Sequence, residues 1–125
     1  MAVKAEQRGS CLNLRRARGF IERFIGLIGR TDMAPDEVFL MERCAAIHTI
    51  GMQMPIDVVF LSAHGVVIKV CHALQPGRIR LCPGAADTLE LAAGTAARFS
   101  LRPGSTIVLG PSTLFVVPTK LEIKS

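Results

Sequence analysis

The chain has 125 residues, half of them apolar, and a formal net charge of +5, which fits one domain with one largely aliphatic core. No apolar run approaches the roughly 18 residues that a membrane helix needs, so we expect no membrane span. The 11 glycines and 7 prolines break the chain into short elements, which favours a β-rich fold over an all-helical one.

The positive charge is concentrated at the N-terminus, where residues 1–30 contain seven lysines and arginines and two glutamates. Without interleaved aromatic residues or a nucleic-acid motif, this pattern favours a solvated lead-in over a nucleic-acid site. We therefore expect residues 1–14 to form a flexible basic segment and residues 15–125 to form a single β-rich domain. The first twenty residues lack the apolar stretch of a secretory signal, which predicts a cytoplasmic location with reduced cysteines.

Helical periodicity is confined to two places. Apolar residues recur at helical spacing from Arg15 to Gly29 and predict a short amphipathic helix, followed by a turn at "RTDMAPDE". A second helix of one or two turns is expected to begin near Gly94 or Thr95. The apolar pattern of the remaining chain is that of strands.

The strands are predicted at "EVFLM", "AAIHTI", "PIDVVFLS", "VVIKVCHAL", "DTLEL", "STIVL" and "TLFVVP". The first four are expected to form a meander, with Gly65 supplying the positive φ of a tight hairpin turn. The intervening "QPGRIRLCPGA" is predicted to be a loop. About seven short strands and two short helices indicate a mostly β fold, a compact antiparallel barrel or folded sheet.

Soft and titratable side chains gather in the middle of the chain, where Cys44, His48 and Met52 are spaced four apart and Asp57 follows. On a strand, residues four apart lie roughly 13 Å from each other, so one metal ion cannot bind all three. We therefore predict no metal site and no cofactor. Cys44 and His48 are separated by the same distance, so the thiol is too far from the imidazole to act with it as nucleophile and base.

Asp57 is expected to share a strand face with Val59 and Leu61 and to be partly buried. A buried carboxylate needs donors, for which the candidates are Arg30, Arg80, His48 and loop backbone N–H groups. We interpret Asp57 first as a structural clamp and second as part of a pocket. Whether Cys71 and Cys82, on either side of the loop at residues 75–81, lie close together is left open.

The order of several short motifs resembles a known prokaryotic family. "RARGFIERFIGLIGR", "HTIGMQMPIDVVFLSAHGVVIKV" and "DTLELAAGTAARFSLRPGSTIVL" follow one another as in the family catalogued as domain of unknown function 192. Some members carry Trp-Met-Lys-Asn-Thr where this chain has His48 and Thr49, so it resembles the His-Thr kind. The resemblance implies a small β-rich single domain with accessory helices and brings no established activity.

Three functions are compatible with these patterns. The leading hypothesis is a non-catalytic accessory or binding domain, in which a concave face lined by His48, Met52, Met54, Asp57 and Arg80 holds a small ligand or a partner segment. The alternative is a small hydrolase-like enzyme with His48 as general base and Asp57 as its orienting group. A further alternative is nucleic-acid binding through the basic N-terminal region.

Overall fold

The structure is a computed structural model and describes residues 11–17 and 29–118. Within these ranges the elements are β1 (Cys11–Arg16), β2 (Glu37–Glu42), β3 (Ala46–His48), β4 (Ile56–Leu61), β5 (Val67–Leu74), β6 (Ile79–Leu81), β7 (Asp87–Ala92), α1 (Thr95–Arg98), β8 (Ile107–Leu109) and β9 (Thr113–Val116). The predicted mostly β fold is confirmed. No helix among the described residues is long and apolar enough to cross a membrane.

Seven of the strands form one curled sheet in the order β5-β4-β7-β2-β1-β9-β8, and β3 pairs with β6 in a separate two-stranded ribbon. All neighbouring pairs are antiparallel except β1 with β2, which are parallel. The two ends of the large sheet meet where the Ile107 amide donates to the Gly65 carbonyl at 2.8 Å and the Val67 amide donates to the Ser105 carbonyl at 2.8 Å. The sheet therefore curls into a half-barrel.

The position of β1 corrects two expectations about the N-terminal part of the chain. Residues 11–14 were expected in the flexible segment and Arg15 at the start of a helix, yet all lie in β1, between β2 and β9. Leu12 and Leu14 are buried, so the strand is fixed by the core. The remainder of the predicted helix, residues 18–28, lies outside the described residues.

The predicted meander is wrong except for its last hairpin, in which β4 pairs with β5. Strand β7 lies between β2 and β4, and β3 leaves the large sheet to pair with β6. The stretch predicted to be a loop contains strand β6. Its three residues form a strand because their backbone groups pair with those of β3. The predicted helix near Gly94 is present as α1.

The half-barrel has a core on each side of its sheet. The first cluster lies on the concave side, as the alternation of the strands places its members inside the curl. It includes Leu12, Leu14, Val38, Leu40, Val59, Leu61, Leu89, Leu91, Leu101, Ile107 and Leu114. The second cluster lies on the opposite face, between the sheet and the ribbon, and includes Phe39, Met41, Ile47, Met52, Met54, Ile56, Val58, Phe60, Leu74 and Cys82.

Candidate functional site

The ribbon of β3 and β6 is held at one end by Thr49, which is fully buried. Its hydroxyl donates to the Gln75 carbonyl at 2.7 Å and accepts from the Arg78 amide at 2.8 Å, and its own amide donates to the Arg78 carbonyl at 2.8 Å. At the other end the Cys82 amide donates to the Ala45 carbonyl at 2.8 Å. These bonds fix which side of the ribbon faces the half-barrel.

The inner and outer faces of the ribbon follow from its register, in which Ile47 is opposite Arg80 and His48 is opposite Ile79. Directly opposed residues lie on the same face, so Ile47 and Arg80 form the inner face, and Ile47 is buried in the second cluster. The outer face carries His48, Ile79 and Leu81. Ile79 is 59% exposed and Leu81 is 63% exposed, so they form an apolar surface that the described part of the chain does not cover.

Two of the predicted site residues, His48 and Arg80, lie on opposite faces of this ribbon. The Nδ1 atom of His48 accepts a hydrogen bond from the Ile50 amide at 3.2 Å. The guanidinium of Arg80 donates to the Ile79 carbonyl at 2.8 Å. Ile50, in the turn after β3, is itself 53% exposed.

Asp57 lies away from the ribbon, in the interior of the half-barrel. It is fully buried and shares the face of β4 that carries Val59 and Leu61. One carboxylate oxygen accepts from the Ala73 amide at 2.8 Å, and the other accepts from the amides of Gly94 at 3.0 Å and Ala96 at 2.9 Å. Of the donors considered from the sequence, backbone N–H groups are the ones that Asp57 binds.

The three donors explain what the Asp57 carboxylate does for the fold. Ala73 has a positive φ of 48° and lies where the β4–β5 register shifts, so its N–H turns toward the carboxylate. Gly94 and Ala96 are at the beginning of α1, whose first N–H groups lack partners within the helix. Asp57 therefore ties the β5 bulge to the start of the helix.

Met52 and Met54 are buried in the second cluster, where Cys82 is also buried and Cys44 and Cys71 pack against it. All four cysteines are free thiols. No group of three or more His, Cys, Asp or Glu side chains capable of holding a metal ion occurs among the described residues. The five predicted site residues thus divide among the ribbon's outer face, its inner face, the second cluster and the half-barrel interior.

Sequence reasoning missed the most unusual polar group, Glu90. Its strand β7 lies in the middle of the sheet, and Glu90 is directly opposite Phe39 on one side and Val58 on the other. The side chain is fully buried, and neither carboxyl oxygen has a hydrogen-bond partner among the described residues. This burial raises the pKa of Glu90 to about 8.

The alternation of "DTLEL" predicts a strand with Glu90 on its solvated face. That face is covered instead, because the second cluster lies over it. The available signal was in the neighbouring strands, since "VFLM" and "VVFL" are apolar at consecutive positions, as is typical of strands buried on both faces.

The segment that contains the ribbon has more basic than acidic residues. Residues 43–86 contain four lysines and arginines, and the one acidic residue in this range is Asp57, whose carboxylate is buried. Glu42 and Asp87, which are opposite each other on β2 and β7, border this range, and the Asp87 carboxylate accepts from the Arg43 amide at 3.0 Å. Within the range itself the charge is mainly positive, which favours acidic groups in a partner.

The fold and the arrangement of these residues define a small single-domain β protein, curled into a half-barrel and carrying a two-stranded ribbon on its outer face. The chain belongs to the family DUF192, described as "Uncharacterized ACR, COG1430", whose model matches residues 1–109. The resemblance inferred from the sequence motifs is thereby confirmed.

Two crystal structures share this fold. A protein of unknown function from Novosphingobium aromaticivorans DSM 12444 is 23% identical, with a TM-score of 0.71, over 77% of this chain and 74% of that one. A protein from Sinorhizobium meliloti 1021 described as a "putative transcription regulator" is 26% identical, with a TM-score of 0.70, over 84% of this chain and 81% of that one. No curated protein matches the chain.

Proposed function

We propose that the chain is a non-catalytic binding domain, and that the outer face of the β3–β6 ribbon binds an extended protein segment in which apolar and acidic side chains alternate. The observation that carries this proposal is the exposure of Ile79 and Leu81, at 59% and 63%, on the same face of one strand. Residues two apart on a strand match the side-chain spacing of an extended partner.

The apolar side chains would supply most of the affinity. Complete burial of a leucine or isoleucine is worth about 1.5–3 kcal/mol, and somewhat more than half of each side chain is still exposed here. Each residue would therefore contribute roughly 1–2 kcal/mol, which corresponds to about a tenfold change in the dissociation constant. Exposed apolar side chains grouped in this way are typical of interaction surfaces.

The charge around the ribbon favours acidic groups in the partner. The range 43–86 has four cationic residues and no exposed acid, and Arg78, adjacent to Ile79, is exposed. Acidic side chains of the partner would be drawn to this surface and would raise the association rate more than the affinity. The interaction should accordingly weaken with added salt.

The alternative of a hydrolase is less well supported by the positions of His48 and Asp57. The Asp57 carboxylate accepts three backbone N–H bonds within the half-barrel, whereas His48 lies on the outer face of the ribbon. An orienting carboxylate must contact the imidazole that it orients. Hydrolytic turnover that disappears in His48→Ala would favour the enzyme over the binding domain.

The binding proposal is tested by fluorescence anisotropy with a labelled ten-residue peptide that alternates Asp with Val. We expect Ile79→Ser and Leu81→Ser each to weaken binding about tenfold. The matched control is Val108→Ser, because Val108 is also half exposed, at 51%, but lies on β8. Equal effects of the ribbon and control variants, or equal affinity for a peptide with Lys in place of Asp, would reject the proposal.

Nucleic-acid binding is a second candidate, favoured by the description of the Sinorhizobium protein and by the basic residues of the N-terminal region. It predicts binding to duplex DNA that weakens steeply with salt and is lost when residues 1–10 are deleted. This deletion leaves β1 intact, since the strand begins at Cys11. DNA binding that survives the deletion would exclude the N-terminal region as its source.

A further inference from the structure

We infer that the second cluster contains a small-molecule site, in which the carboxyl group of Glu90 pairs with the amide group of an otherwise apolar ligand. This inference is independent of the proposed function, because Glu90 faces the inner side of the ribbon and the partner segment would occupy its outer side. A ligand here would satisfy the one buried carboxyl group that the described residues leave unpaired.

Glu90 differs from the other fully buried carboxyl group, Asp57, in its hydrogen bonding. Both of its oxygens are buried without a hydrogen-bond partner among residues 11–17 and 29–118, whereas the carboxylate of Asp57, equally buried, accepts three hydrogen bonds. The hydroxyl of Thr88, two residues before Glu90 on the same strand face, donates to the Cys44 carbonyl at 2.6 Å. Buried polar groups are paired nearly everywhere in proteins, so the unpaired carboxyl is where an additional molecule would gain most.

The surroundings of Glu90 favour a neutral ligand. The titratable groups that line this face are Cys44, Cys71 and Cys82, with Arg80 on the inner face of the ribbon, and none of them hydrogen-bonds the Glu90 carboxyl. Because burial raises the pKa of Glu90 to about 8, the group is protonated at neutral pH. A protonated carboxyl group has one donor and one acceptor side by side, and so does a primary amide. The carboxyl O–H can donate to the amide oxygen while the amide N–H donates to the carboxyl oxygen.

An amide therefore pairs with both oxygens of Glu90 and brings no charge into the apolar cluster. A cationic amine would form an ion pair there, at the cost of removing two charges from water. The apolar part of the ligand would contact Phe39 and Val58 on either side of Glu90. Met52 and Met54 belong to the same cluster, and the flexible side chain of methionine adapts readily to a ligand.

Access to this cluster would be through displacement of the ribbon. Ile47 is the ribbon residue buried in the cluster, and the strands that form the ribbon have three residues each. A two-stranded sheet this short has little stability of its own, so the ribbon depends on its buried Ile47 and on the hydrogen bonds at its two ends. Ligand binding would then be accompanied by movement of β3 and β6.

The test is a titration of the protein, carrying ¹³C-labelled methionine methyl groups, with millimolar benzamide, followed by NMR. We expect the signals of Met52 and Met54 to shift in the parent and in Glu90→Gln, whose amide can pair in the same way, and to remain unchanged in Glu90→Leu. Glu42→Gln, at an exposed position of β2, is the matched control and should respond like the parent.

The pH dependence of benzamide binding separates pairing with Glu90 from simple apolar contact. At about pH 9 roughly one tenth of the Glu90 side chains remain protonated, so binding by the parent should weaken about tenfold relative to pH 7, and binding by Glu90→Gln should not. An absence of shifts in the folded parent, equal shifts in Glu90→Leu, or tighter binding of benzylamine than of benzamide would each overturn the inference.

Discussion

Glu90 should make the protein less stable as the pH rises through neutrality. Burial raises its pKa from 4.5 to about 8, so between these values the folded state keeps a proton that the unfolded state releases. The contribution of the protonated carboxyl to stability is therefore fully present below the unfolded pKa of about 4.5, and it is lost as the pH rises toward the folded pKa.

The size of this effect follows from the same two values. A group that is protonated in the folded state and ionised in the unfolded state lowers the free energy of unfolding by about 1.4 kcal/mol per pH unit. Between about pH 5 and about pH 7 the loss from Glu90 is therefore roughly 3 kcal/mol. A change of this size is a large part of the free energy of unfolding of a typical domain, which is roughly 5–15 kcal/mol.

Glu90→Gln removes the titrating group while keeping the size of the side chain, so the difference between parent and variant isolates Glu90 from the other carboxyl and imidazole groups. The measurement is urea unfolding of both proteins from pH 5 to pH 8, in steps of about one unit. We expect the variant to gain stability relative to the parent by about 1.4 kcal/mol per unit in this range. A parent-variant difference that does not depend on pH would show that folding does not change the protonation of Glu90.

Two further predictions concern the fold. Asp57→Asn replaces a carboxylate that accepts three backbone N–H bonds, so it should lower the free energy of unfolding by about 2–4 kcal/mol. The control, Asp36→Asn at an exposed site, should change the free energy of unfolding by less than about 0.5 kcal/mol. Equal losses of stability in urea unfolding would contradict the structural role of Asp57. Gly65 and Gly104 both have a positive φ, of 80° and 98°, but an added Cβ would overlap a backbone atom only at Gly65. Gly65→Ala should therefore lower the free energy of unfolding by about 2 kcal/mol more than Gly104→Ala. Thermal unfolding that ranks these variants equally would show that the sheet ends are not in close contact at Gly65.

The strands whose apolar pattern is strong were predictable from the sequence, as β4, β5 and β7 show. The hairpin between β4 and β5 was also predictable, since Gly65 marks its turn. The order of strands in the sheet was not, because β7 reaches its place between β2 and β4 through pairing with residues distant in the sequence. Residues 11–16 lack a clear signal of their own and become a strand through their neighbours β2 and β9.

The sequence identified Asp57 as a structural group but not its partners. Its face of β4 followed from the alternation with Val59, whereas its three backbone donors depend on the β5 bulge and on the start of α1. The grouping of His48, Met52, Met54 and Asp57 into one surface relied on nearness in sequence. In the structure these residues are separated, because they lie on the ribbon and on the two faces of the large sheet. The cytoplasmic location stays a prediction.

We propose that the outer face of the ribbon is a binding surface. Its most direct test is to add the Asp-Val peptide to the ¹⁵N-labelled protein and record the backbone amide signals by NMR. We expect shifts concentrated in residues 46–50 and 78–82, which form the ribbon and its adjoining turns, with none at β8 and β9. Shifts confined to β8 and β9, or an absence of shifts at millimolar peptide, would contradict it.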